Sequence, residues 1–124
     1  MKKLFILSVL GSAIMFTGCA EKKPLTPEEQ WQGYCKSIGN AARSIILDRQ
    51  NGITEKDALD YANKVTDATT KKFVLEQVAK VYAYPADQLE TDRNALQVKF
   101  RDEATKQCLD TPFDPKALPD YKQF

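Results

Sequence analysis

Thr26–Gly52 reads TPEEQWQGYCKSIGNAARSIILDRQNG and contains both ends of a helix and the apolar face between them. Thr26 offers an N-cap hydroxyl. Pro27 suits the first helical position, where no N–H is needed, and Glu29 stands where a capping box places its carboxylate. Trp31, Cys35, Ile38, Ala42, Ile45, Ile46 and Arg49 recur at three- and four-residue steps, the spacing of one helical face. Asn51-Gly52 ends the run with residues that tolerate a left-handed backbone. Gly33 and Gly39 each cost a helix about 1 kcal/mol relative to alanine. They either admit a neighbouring helix or fill ordinary packed positions, and packing is the expected role.

Downstream, three more helices are expected. Thr54 caps Glu55-Lys56-Asp57, acids and all, at the positive end of a second helix whose stripe is Ala58, Tyr61, Ala62 and Val65. Thr66 to Thr70 is crowded with side chains that compete for backbone hydrogen bonds, which places a break there. A third helix buries Phe73, Val74, Val78, Val81 and Tyr82, and Tyr84-Pro85 stops it. Pro85 to Asp92 is a connection with one helical turn at most. The fourth helix spans about Thr91 to Leu109, with Leu96, Phe100, Ala104 and Cys108 spaced by fours and Arg101, Asp102 and Lys106 outside. Prolines at 112, 115 and 119 exclude a helix from residues 111–124, although Phe113, Leu118, Tyr121 and Phe124 can still pack across the helices. No alternating strand pattern and no internal repeat is present.

Upstream, Lys2 and Lys3 precede an apolar run from Leu4 to Phe16, interrupted only by Ser8, Gly11 and Ser12. A charged start and a short apolar run make an export signal, not a spanning helix. Its close, Phe16-Thr17-Gly18-Cys19, resembles the lipobox of bacterial lipoproteins, with Phe16 where that family most often has leucine. The resemblance implies that Cys19 carries fatty acyl chains, palmitate among them, and becomes the first residue of the mature protein. The other reading is an ordinary cleaved signal with an incidental Cys19. In that family aspartate after the cysteine favours the inner membrane. Ala20 therefore implies the periplasmic face of the outer membrane. The divisions are a signal over 1–18, a lipidated tether over 19–25, a helical domain over 26–110 and an irregular tail over 111–124. Residues 20–25 reach at most about 20 Å, so the folded part is expected close to the bilayer.

With Cys19 assigned to lipid, Cys35 and Cys108 remain, in a compartment where disulfides persist. A bond between them would stabilise the fold by about 4 kcal/mol in the chain-entropy model. The alternatives are two buried thiols or a metal site, and the lack of histidine argues against structural zinc. Antiparallel packing of the first and last helices would bring the two sulfurs level. The expected fold class is all-α, a small four-helix bundle stapled by one disulfide with an irregular, proline-rich C-terminal tail.

Removal of residues 1–18 leaves 16 Lys+Arg against 17 Asp+Glu. That balance argues against nucleic acid as partner. Without histidine the common general base and the Ser-His and Cys-His pairs are missing. The acid pairs Glu28/Glu29 and Asp102/Glu103 fall on expected solvent faces, and the glycines form no phosphate loop. The expectation is a protein that is not an enzyme, with no catalytic residue, metal or cofactor.

Cys35, the run Ile45-Ile46-Leu47-Asp48-Arg49-Gln50-Asn51-Gly52, the run Val78-Ala79-Lys80-Val81-Tyr82-Ala83-Tyr84-Pro85, then Phe100 and Cys108 appear in that order. Together they look like a group of small exported proteins of proteobacteria and their phages. In that group a cysteine-bearing helix ends in Arg-Gln-x-Gly, a later helix ends in an aromatic-x-x-Pro motif, and the last helix carries the second cysteine. The resemblance implies fold and compartment and no activity. Arg49 near a helix C-terminus is expected to serve exposed carbonyls. The functional alternative groups Arg49, Gln50, Tyr82 and Tyr84 on one partner-binding surface, since Arg and Tyr are enriched at interface hot spots. Trp31 is expected in the core or in a contact beside the membrane. The expected partners are the bilayer, through Cys19, and an unidentified envelope protein. Alternatives are a pilotin-like secretin escort, an immunity protein against a periplasmic toxin bearing an acidic or aromatic plug, and a carboxylate enzyme with two converging acids.

Overall fold

Local hydrogen bonding sets the ends of four helices: α1 over Pro27–Gln50, α2 over Glu55–Asn63, α3 over Ala68–Ala83 and α4 over Arg93–Leu109, with a 3-10 turn at Ala86–Gln88. The computed structural model describes residue 18 and residues 23–120. Residues 1–17 of the leader, Cys19, most of the tether, Tyr121 and Phe124 lie outside the described residues. Among the described residues there is no strand.

At the start of α1, Thr26 Oγ1 accepts from the Glu29 N–H while Glu29 Oε2 accepts from the Thr26 N–H at 2.8 Å, so two orphan donors are satisfied reciprocally. At its end Gly52 takes φ +90°. That lets the Gly52 N–H reach Arg49 O and the Ile53 N–H reach Asp48 O, both at 3.0 Å, which satisfies the last carbonyls. The break between α2 and α3 falls over residues 64–67, earlier than the Thr66–Thr70 expectation. Asp67 is the reason. Its carboxylate accepts from the backbone N–H and the hydroxyl of Thr70, both at 2.7 Å, which draws Thr70 into the first turn of α3. Those bonds hold the Asp67 carboxyl below its usual range. Tyr84 is extended ahead of Pro85 and ends α3. Asp92 caps α4 through the Ala95 N–H at 2.9 Å, so Thr91 stands outside the helix that was expected to include it.

α4 lies antiparallel along α1. Cys35 and Cys108 form a disulfide with Cα atoms 5.3 Å apart, and both are fully buried. α3 packs along a second side of α1, and α2 leans on α3. At one end of the molecule Trp31, Tyr34, Cys35, Ile38, Ala42, Phe73, Ala104 and Cys108 form a core that Phe113 and Leu118 of the tail cover. Phe113 stacks on Trp31 with centroids 5.2 Å apart. The opposite end is closed by Ile46, Val81, Leu96 and Phe100.

The buried faces are wider than the stripes. Tyr34, Gln77 and Gln97, which no stripe includes, are also buried; Tyr34 lies on α1, which packs against both α3 and α4. The Tyr34 hydroxyl meets Thr70 Oγ1 at 2.9 Å. The Gln77 amide donates to Gln107 Oε1 at 3.3 Å, and Gln107 in turn donates to Glu76 at 2.8 Å, strapping α3 to α4. Tyr61, expected in the buried stripe of α2, is 67 % exposed. A nine-residue helix that leans on α3 alone buries only Ala58 and Ala62.

Candidate functional site

Arg49, Tyr82 and Tyr84 meet where α1 and α3 end. Arg49 Nη1 donates to Tyr84 O at 2.7 Å and also to Val81 O, and its guanidinium carbon lies 5.4 Å from the centre of the Tyr82 ring. The carbonyls it serves belong to the last turn of α3 and not to its own helix. A fixed cation there adds to the Tyr84 N–H bond on Val81 O, serves Tyr84 O, and faces the negative end of the α3 dipole. The Tyr82 hydroxyl donates to Ile53 O at 2.7 Å. Tyr84 meets Phe100 edge-on at 5.6 Å, and Lys99 Nζ lies 5.3 Å from its ring centre.

Gln50 does not join them at the surface. It is buried, donates to Leu89 O at 3.2 Å and to Arg93 O at 3.3 Å, and accepts from Gln97 Nε2 at 2.9 Å. Gln50 thus differs from the other three expected residues in presenting almost no surface. The amide is held by carbonyls of the chain entering α4, so the end of α1 is tied to the start of α4 by side-chain bonds. Arg93 adds bonds to Gln50 O and to Asn51 Oδ1. The end of the Arg-Gln-Asn-Gly run is therefore a joint between α1, α3 and α4. Replacing Arg49 by methionine is expected to cost about 2 kcal/mol, because two charge-assisted bonds to carbonyls vanish. Urea unfolding measures this; a loss below about 0.5 kcal/mol would show the guanidinium to be dispensable.

Three concavities border apolar side chains, and a fourth, of about 370 Å³, lies among the polar side chains Glu103, Lys106, Gln107, Asp110 and Thr111. One of about 310 Å³ runs from Tyr84 past Gln88, Asp92 and Ala95 to Lys99. A second, of about 390 Å³, lies at the opposite end between Trp31, Phe73, Pro112, Phe113 and Lys72. Trp31 Nε1 is buried beside it with no hydrogen-bond partner among the described residues. The third, of about 220 Å³, is a furrow between α1 and α2 lined by Ile45, Asp48, Ala58, Tyr61, Val74 and Val78 among others. Burial raises the Tyr82 phenol above its usual pKa; Asp48, Asp57 and Glu55 push it further up, against the Arg49 guanidinium. Asp48 lines the furrow, and the Tyr82 bond to Ile53 O sets the first turn of α2, with Glu55 and Asp57, beside the same ring. Nothing in the spacing of Asp48, Glu55 and Asp57 announced this, since only the turn at Gly52 and Ile53 folds α2 back.

Of the expected acid pairs, Glu29 belongs to the α1 cap, Asp102 accepts from Arg101 Nε at 2.8 Å, and Glu103 lies 4.0 Å from Lys99. Among the described residues no three His, Cys, Asp or Glu side chains gather as metal ligands would, and no helix is long and apolar enough to cross a membrane. No protein-family model matches this chain, and no curated protein and no solved structure gives a significant match.

Proposed function

We propose that this chain is an exported lipoprotein, acylated on Cys19 and held at the periplasmic face of the outer membrane, whose helical domain binds or escorts another envelope protein without making or breaking covalent bonds. The observation that carries the compartment is the fully buried Cys35–Cys108 bond downstream of the leader. Such bonds form and persist outside the reducing cytosol. Acylation on Cys19 would put the Trp31 end next to the bilayer. α1, with 24 residues, is about 36 Å long. Arg49, Tyr82 and the α2 face then stand well clear of the membrane, where a partner can reach them.

Blocking lipoprotein signal processing with globomycin, or replacing Cys19 by alanine, is expected to move the protein out of the outer-membrane fraction. Persistence of the Cys19→Ala protein in that fraction would refute the anchor. Crosslinking in intact cells then identifies the bound protein. A secretin subunit among the products would make the protein a pilotin-like escort. One observation favours the immunity reading: Asp48, Glu55 and Asp57 act on the same face as Tyr61 and Tyr82, an acidic and aromatic surface of the kind that reading requires. A toxin as the crosslinked species would establish it.

A further inference from the structure

α2 leans on α3 through Ala58 and Ala62, while α1 reaches the same cluster through Ile45 and packs far less closely on α2. Val74 and Val78 of α3 are left as the floor of a furrow, with Ile45 on one wall and Tyr61 and Val65 on the other. Its volume of about 220 Å³ falls short of the ~300–1,000 Å³ typical of small-molecule sites. It suits one or two apolar side chains delivered by a protein segment. A helix is the natural occupant, because it supplies along α1 the packing that nine residues of α2 do not, with anchors one turn apart.

Charge specifies the segment further. Asp48 stands on the rim, and the Tyr82 hydroxyl, bonded to Ile53 O at 2.7 Å, sits beside the first turn of α2 that carries Glu55 and Asp57. None of the three has an ion pair among the described residues, whereas the nearby cations are engaged. Lys56 is held by Asp60 at 2.9 Å, Arg49 by carbonyls of α3, and Lys64 lies over the Tyr61 ring beyond the far end of α2. We infer that this furrow docks an amphipathic helix of an envelope partner, with apolar side chains entering between Ile45 and Tyr61 and Lys or Arg residues meeting Asp48, Glu55 and Asp57. The inference rests on the binding function proposed above and names the chemistry of the partner, which is cationic and not acidic. Glu55 and Asp57 meet the positive end of α2, and Asp57 accepts from the Thr54 hydroxyl at 2.7 Å. None of the three carboxylates pairs with a cation among the described residues, so together they steer a basic helix in and repel an acidic one.

The test uses the full mature chain with its disulfide intact and two fluorescently labelled helical peptides. Both carry the same leucines at helical spacing; one is flanked by lysines and the other by glutamates. The lysine peptide is expected to bind at least about tenfold tighter, with the gap closing as salt screens the charges. The double variant Asp48→Lys/Glu55→Lys, both positions exposed, is expected to reverse the preference, and Tyr61→Ala to weaken both peptides. Circular dichroism checks that each variant is folded. Failure of both peptides to bind, equal affinity for the two, or indifference to the charge reversal would overturn the inference. In cells, a photocrosslinker at position 61 is expected to capture a protein, and the charge reversal to abolish the capture. Capture only from position 72, in the Trp31 cleft, would leave the binding function standing and defeat the furrow.

Discussion

Reducing the Cys35–Cys108 bond, or replacing both cysteines by alanine, is expected to lower the unfolding free energy by about 4 kcal/mol. The bond joins residues 73 positions apart, so most of the folded chain lies inside the loop it closes. In the chain-entropy account the loss arises in the unfolded chain, which gains freedom once the link is gone. A domain of this size has a total stability of roughly 5–15 kcal/mol, so the reduced form is expected to melt about 15–30 °C lower. Both sulfurs are fully buried, and their positions touch apolar neighbours in the Trp31 core. Reduced thiols there pack as small apolar groups, so the reduced protein is expected to retain its helices at low temperature. Urea titrations of oxidised and reduced protein measure the difference. A shift below about 1 kcal/mol would mean that the unfolded chain is already compact without the bond.

Gly39 is expected to tolerate no side chain. A Cβ built there would lie 2.0 Å from Thr105 Oγ1 and 2.7 Å from Arg101 O, and the second atom is backbone that cannot swing aside. Alanine would add about 1 kcal/mol of helix propensity, but it must separate α1 from α4 one turn from the disulfide. The expected net result for Gly39→Ala is a loss of about 2 kcal/mol, and for Gly39→Leu roughly 3 kcal/mol or more. Thr105→Ala in the Gly39→Ala background is expected to recover part of the loss, since it removes the hydroxyl contact and leaves the carbonyl. Full recovery would show that Arg101 O is not the obstacle, and a neutral or stabilising Gly39→Ala would contradict the close approach itself.

Part of the site was legible in the residues. The tyrosines and Arg49 do come together, because the end of α1 and the end of α3 fall at the same level once α4 is pinned along α1. Gln50 was misread for a reason that spacing cannot reveal. A polar side chain after an apolar face looks solvent-facing unless one knows that the carbonyls of Leu89 and Arg93, some forty positions on, come within its reach. The furrow was out of reach altogether, since it exists only because α2 is too short to pack on α1 as well as on α3.

The sequence by itself determined the local structure: the capping box at Thr26, the stop at Gly52, the cap at Thr54, the break before Pro85, and hence four helices and no strand among the described residues. Those features depend on side chains within a few positions of the backbone groups they satisfy. The antiparallel pairing of α1 with α4 was also within reach, through two cysteines whose helices had to run opposite ways to meet. Only the tertiary structure decided which glycine touches a neighbouring helix, which glutamines are buried, and which acids share a face. Those outcomes depend on helix crossings and on contacts between residues dozens of positions apart, and no short-range pattern encodes them.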